Sequence, residues 1–358
     1  MDIANTAIDT TTDTLDNVID ELRRLYGDDF RLFAGVHHAR YLPADVAFHV
    51  ISRVFQGRYL LRPGRQLNRI IGGVIGRAQH VFPSIKLFAN AFLSNHMHLM
   101  LQGPAPDVAA FVGFVKREIS RRWGAHPDIN WPGTMWHGYI ATALPSPQSQ
   151  IACFKYVLSQ GVKEGLVAKP QLWPGIHSAK QLLSGANLTG EWLDATAYAV
   201  ARDRERRKVH PKPVPKARFY RTYEAVHTQI APWSNLSPEE YRDRIRALCD
   251  EIEREAEKAR GGRPPVGTKA VMEMPLETRS ELPTQPWIMG RRRMICWAQG
   301  ATEEARAYVD RHWTFQQAFR TASLSYLAGD RGVAFPAEAF LPSVWPLRRQ
   351  RQDRFRPD

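Results

Sequence analysis

Between residues 11 and 161 the hydrophobic pattern alternates between a repeat of about 3.6 and a repeat of two, and the order of these switches restricts the possible folds more than any other property of the chain. Thr11 to Tyr26 sets Leu15, Val18, Ile19, Leu22 and Leu25 at helical spacing, with acids early, Arg23 and Arg24 late, and Gly27 as a stop. Ala47 to Phe55 is rich in β-branched and aromatic residues and predicts a strand. Gln66 to Gln79 predicts a helix, weakened by Gly72, Gly73 and Gly76. Ser84 to Leu101 predicts a strand pair turning at Ser94 and Asn95. Val108, Phe111, Val112, Val115, Ile119 and Trp123 mark one helical face, with Lys116, Arg117, Arg121 and Arg122 largely off it. Met135 to Leu144 predicts another strand, and after Pro145-Ser146-Pro147 a helix is expected from about Ser149 to Gly161. The order α, β, α, β, β, α, β, α argues a layered α+β domain of about 170 residues.

Beyond Ala168 the texture changes. Residues 202–221 carry nine bases and three prolines, the composition of an extended arm. Ser237-Pro238-Glu239-Glu240 is a capping box with proline at the first helical position, and Tyr241, Ile245, Leu248 and Ile252 continue its apolar stripe toward Gly261. Glu303 to Leu327 predicts a second long helix, and the tail from Arg348 to Arg356 holds five arginines. The expected division is an acidic helix and lead-in over 1–40, the α+β domain over 41–170, a basic proline-containing linker or arm over 171–235, and a mainly helical extension over 236–358.

No apolar run approaches the ~18 residues that span a bilayer, and the first residues lack the pattern of a signal peptide, so a cytoplasmic, nucleoid-associated protein is expected. Cys153, Cys249 and Cys296 lie far apart with no C-x-x-C pair, which argues against a disulfide framework or a cysteine zinc site. The net charge is +13, yet residues 1–30 hold eight acids and two bases, so the remaining 328 residues carry +19. Such a surplus suits a polyanion, nucleic acid above all; the alternative is a basic solubilising surface.

Two residue patterns carry chemistry. His96 and His98 lie two apart in an apolar run read as strand, so both imidazoles leave the same face, about 6.6 Å apart along the chain. That is half of a metal site, although an isolated H-x-H also arises by chance as two histidines on a polar sheet face. Tyr156 and Gln160 are four apart and share one face of a helix. A phenol with a reference pKa of about 10 needs activation or a polarised electrophile before it attacks. A divalent cation polarises a phosphate oxygen, and an amide oxygen with two imidazoles fits magnesium or manganese better than closed structural zinc. Taken singly, Tyr156 also reads as a half-buried tyrosine and Gln160 as an exposed helix residue.

Together these patterns resemble a family. N-H-M-H-L-M-L at 95–101 resembles the H-u-H strand of the single-tyrosine HUH transposases, the group of insertion-sequence and REP-associated tyrosine transposases. Y-V-L-S-Q-G-V-K-E-G-L-V at 156–167 is similar to that group's tyrosine-helix block, written Y-I-x-x-N-P-V-R-A-G-L-V. H-V-I-S-R at 49–53 and M-W-H-G-Y at 135–139 also match, in order, and the likeness covers about residues 40–170. It implies a ferredoxin-like antiparallel sheet with packed helices, the HUH nuclease core. It further implies Tyr156 as nucleophile on single-stranded or hairpin DNA, leaving a 5′-phosphotyrosine and a free 3′-hydroxyl. His96, His98 and Gln160 would hold a magnesium or manganese ion, in a chain that acts alone or as a homodimer. The sequence departs from the family where Gln160-Gly161 replaces Asn-Pro and where Trp136-His137-Gly138-Tyr139 lacks an arginine. Lys116, Arg117, Arg121 and Arg122 are candidate DNA-backbone contacts, with Trp123 and Trp136 as stacking surfaces or core residues. Two rival readings are a domesticated, non-cleaving DNA- or RNA-binding protein and a metal hydrolase that uses water.

Overall fold

The computed structural model describes residues 39–124, 126–127, 129–131, 133, 135–279, 296–297 and 302–340. The expected helix at 11–26 and the arginine tail lie outside them.

The strand signal at 47–55 becomes β1 (Ala47–Val54). After it come α1 (Arg65–Val81), β2 (Lys86–Phe92), β3 (His96–Gln102), α2 (Ala105–Trp123) and β4 (Trp136–Leu144). The four strands form one antiparallel sheet in the order β2-β3-β1-β4. A β-α-β-β-α-β chain with this order is the ferredoxin-like arrangement. Both connecting helices cover one face, where Phe48, Val50, Leu99 and Leu101 meet Val74, Ile75, Phe111, Val112 and Val115 in a continuous core.

The other face is covered by α3 (Pro147–Leu158), entered through a capping box in which Ser146 Oγ accepts from Ser149 N and Ser149 Oγ accepts from Ser146 N. Ala89, Ala91, Met100 and Leu144 of the sheet pack there with Cys153, Phe154, Val157 and Leu158. The capping box read at Ser237 starts α6 (Pro238–Arg260), whose Tyr241, Ile245, Leu248 and Ile252 join the same cluster. Lys155 of α3 is paired with Glu251 at 3.0 Å and Glu255 at 2.6 Å. Helix α3 is therefore held between the sheet and α6.

The segment expected as a linker or arm is largely folded. It contains α4 (Ala179–Ser184), β5 (Leu188–Leu193), α5 (Ala195–Arg206) and β6 (Tyr220–Ala225), and β5 pairs with β6 as a second, two-stranded sheet. This hairpin lies directly on the backbone of α1. A Cβ on Gly73 would stand 2.1 Å from Glu191 O, and one on Gly190 would stand 1.9 Å from Gly73 N. The glycines that weaken the helix signal are thus the docking surface for the hairpin. The exposed stretch between α5 and β6 keeps the extended, basic character expected of an arm.

Later chain also closes the edges of the main sheet. Along β2, Phe92 N donates to Ile176 O, Ser178 N to Asn90 O and Thr228 N to Leu87 O. Along β4, Trp297 N donates to Ala143 O at 2.9 Å. Covering both edges removes the open ladders that invite pairing with another chain. After the short α7 (Thr268–Glu273), α8 (Thr302–Leu327) packs Tyr308 and Phe315 against Tyr41, and Arg311 pairs with Asp45 at 2.9 Å. No helix among the described residues is long and apolar enough to cross a membrane.

Candidate active site on the α3 face of the sheet

Alternation along β1 and β3 separates two sets of side chains. Phe48 and Val50 face α1 and α2, whereas His49, Ile51 and Arg53 leave the opposite side. The pairing sets Ile51 opposite His98 and Arg53 opposite His96, so His96 and His98 share that side with His49. Helix α3 brings Tyr156 over them. Its ring centroid is 5.6 Å from that of His49 and 5.6 Å from that of His98, edge-on to both. The rings of His96 and His98 are 4.8 Å apart.

Gln160 follows the end of α3. It is buried, and its Nε2 donates to Tyr156 O at 2.9 Å. The chain can turn here because Gly161 adopts φ +85° with Trp173 stacked against it. Proline is fixed near −65°, so this backbone excludes the Asn-Pro of the resembling block. The four residues singled out from the sequence, His96, His98, Tyr156 and Gln160, therefore converge on one side of the sheet.

The sequence reading missed the residues that surround them. His49 Nε2 lies 3.0 Å from His98 Nδ1, and His96 Nδ1 lies 2.6 Å from Asn95 Oδ1. Lys163 Nζ sits 3.7 Å from the centroid of the Tyr156 ring. Trp297, carried in by the strand edge at β4, packs edge-on to Tyr156 at 5.6 Å and to His49 at 5.8 Å. His49 and Arg53 were visible as period-two partners in H-V-I-S-R, whereas nothing local marks Trp297, which lies 141 positions from Tyr156.

Burial is the first cause of the electrostatics. It pushes His49 down to about 3, with Lys163 adding to the effect. His96 falls to about 4 through burial, then Arg53 and Lys163, and His98 lies well below the usual histidine range through burial and its histidine neighbours. The imidazoles are neutral at physiological pH, the protonation state that metal ligation requires. Arg53 and Lys163 leave the pocket with positive potential, favourable to a phosphate.

The donor set fits a divalent cation. Asn95 and His49 occupy the Nδ1 atoms of His96 and His98, while His98 Nε2 is buried with no partner among the described residues. A buried nitrogen of this kind needs an explanation, and a cation provides one. Among the described residues no three His, Cys, Asp or Glu side chains are arranged to hold a metal ion, so the set depends on the Gln160 amide oxygen as third donor.

The bases of α2 are elsewhere. They project from the helix on the other face of the sheet, where Arg122 lies 3.6 Å over Trp192 and donates to Leu193 O, and Glu118 pairs with Arg117, Arg121 and Arg122. Lys116 is bonded to His137 O at 2.5 Å. Trp123 and Trp136 are core residues whose indole N–H groups donate to Leu60 O and Lys116 O. His137 is an exposed strand residue against Phe55.

No protein-family model and no curated protein matches the sequence. Among solved structures, a REP-associated tyrosine transposase bound to a REP hairpin is similar over 42% of this chain and 86% of its own, at 16% identity and a TM-score of 0.36. A candidate transposase from Deinococcus radiodurans R1 is similar over 35% of this chain and 94% of its own, at 18% identity and a TM-score of 0.23. Neither likeness is close enough to transfer an activity to this chain.

Proposed function

We propose that this protein is a divalent-ion-dependent endonuclease and strand transferase acting on single-stranded or hairpin DNA, with Tyr156 as nucleophile. The observation that carries this reading is the placement of the Tyr156 ring 5.6 Å from two buried neutral imidazoles, one of which has a ring nitrogen without a partner among the described residues. His96 Nε2, His98 Nε2 and Gln160 Oε1 would hold magnesium or manganese, which when bound supplies Lewis-acid polarisation of a phosphate oxygen.

The chain's own groups account for the rest. Arg53 and Lys163 favour entry of a phosphate anion. Lys163 Nζ over the phenol ring places a cation beside the nucleophile. The Tyr156 oxygen forms a bond to phosphorus while the bond from phosphorus to the 3′-oxygen breaks, and that oxygen takes up a proton as a free hydroxyl. One phosphodiester replaces another, so a 3′-hydroxyl can reverse the step without an external energy source.

The test is a denaturant-resistant protein–DNA adduct, formed with manganese on hairpin-bearing single strands and absent in Tyr156→Phe. Cleavage by Tyr156→Phe at the parent rate overturns the tyrosine mechanism in favour of hydrolysis by water. DNA binding without any adduct in the parent protein favours the non-cleaving binder.

A further inference from the structure

His49 belongs to none of the roles assigned above, yet it is buried between the strand that carries it and the tyrosine helix. Its Nε2 lies 3.0 Å from His98 Nδ1. The two ring planes are within 10° of one another and their centroids are 5.2 Å apart, so the nitrogens meet edge to edge. A hydrogen bond between two ring nitrogens needs one N–H and one lone pair, so one ring must donate and the other accept.

The two choices differ in what they leave at His98 Nε2, which is buried without a partner among the described residues. If His49 donates, His98 Nε2 carries a hydrogen, and a donor is stranded in the pocket. If His98 donates, Nε2 presents a bare lone pair. His96 shows which arrangement the site is built for. With Asn95 Oδ1 as acceptor at 2.6 Å, His96 Nδ1 must be the donor, and its Nε2 carries no hydrogen in the neutral ring. We infer that His49 is a positioning residue that accepts a hydrogen bond from His98 Nδ1–H and so fixes His98 in the tautomer whose Nε2 can ligate a cation. Asn95 does the same for His96. The inference deepens the proposed function and rests on its assignment of His98 as a ligand.

Long-range proton–nitrogen correlation on the metal-free protein reads the tautomer directly, independently of any activity. The parent should show His98 protonated at Nδ1. Glutamine reaches about as far as histidine Nε2 and offers an amide oxygen, so His49→Gln should retain that tautomer and bind manganese as the parent does. His49→Phe removes the acceptor; it should move the His98 proton to Nε2 and weaken manganese binding about tenfold or more. Should the phenylalanine variant fail to fold, the parent and glutamine spectra decide the matter. An Nε2–H signal for His98 in the parent overturns the inference, as does a phenylalanine variant with unchanged tautomer and manganese affinity. Failure of the tyrosine mechanism would show instead as a missing adduct in a parent protein whose His98 tautomer is as inferred.

Discussion

The two faces of the four-stranded sheet are made from alternate residues of the same strands, yet they are built for different ends. Phe48, Val50, Leu99 and Leu101 on one side are matched by apolar side chains of α1 and α2 and leave no polar atom to satisfy. His49, His98 and His96 on the other side are nearly as buried but retain ring nitrogens, one of them without a partner among the described residues. Packing explains the first face completely. The second costs desolvation that packing does not return, and such placement of neutral bases beside a phenol is what the proposed chemistry would require.

The widest separation between the faces should appear on truncation. Phe48→Ala empties a fully buried ring site and is expected to cost about 3–5 kcal/mol in urea unfolding. His98→Leu, at a position equally buried from the same sheet, exchanges an imperfectly satisfied ring for an apolar one but strands His49 Nε2, and is expected to cost about 1–3 kcal/mol while abolishing manganese binding. Equal losses for the two variants would show that the imidazole face contributes to stability as a core does.

Buried histidines also occur at the β2 edge, where they extend the comparison to pH. His177 and His227 are both pushed down to about 4, chiefly by burial. A depressed pKa in a base means that the unfolded chain takes up protons that the folded chain refuses. Above about pH 6.5 both states are neutral and nothing is lost. As pH falls from there toward 4, stability should fall by roughly 1.4 kcal/mol per pH unit for each such group. The double variant His177→Gln/His227→Gln should flatten the decline in melting temperature between pH 6.5 and 4. An unchanged slope would place the acid sensitivity in the site histidines alone.

Much of this was legible in the sequence because the informative signals are local. Strand periodicity placed β1 to β4, the Ser237 capping box started α6, and H-x-H put two imidazoles on one face before any register was known. What escaped depends on contacts between distant segments. Gly72, Gly73 and Gly76 read as helix weakeners because the hairpin they receive begins more than a hundred residues later. His49 reads as one more strand residue until its register beside β3 aims it at His98. The segment over 171–235 looked like a linker because its strands are short and exposed, and only α1 gives them something to pack against.

The bases of α2 offer the smallest effect and the sharpest distinction between the two faces. Arg117 and Arg121 are 65% and 59% exposed in their side chains and share the buried Glu118, which keeps Arg122 at 3.3 Å as its closer partner, so each exposed base contributes little. Arg117→Ala is expected to change stability by less than about 0.5 kcal/mol. Because α2 covers the side of the sheet away from Tyr156, the Arg117→Ala/Arg121→Ala pair should leave adduct yield on short single strands unchanged at low salt. A longer DNA that wrapped around the sheet to reach α2 would instead lose affinity in this variant, with a shallower dependence of binding on salt. Measuring adduct yield against strand length in the parent and the double variant separates a site confined to the α3 face from one whose DNA path crosses both layers.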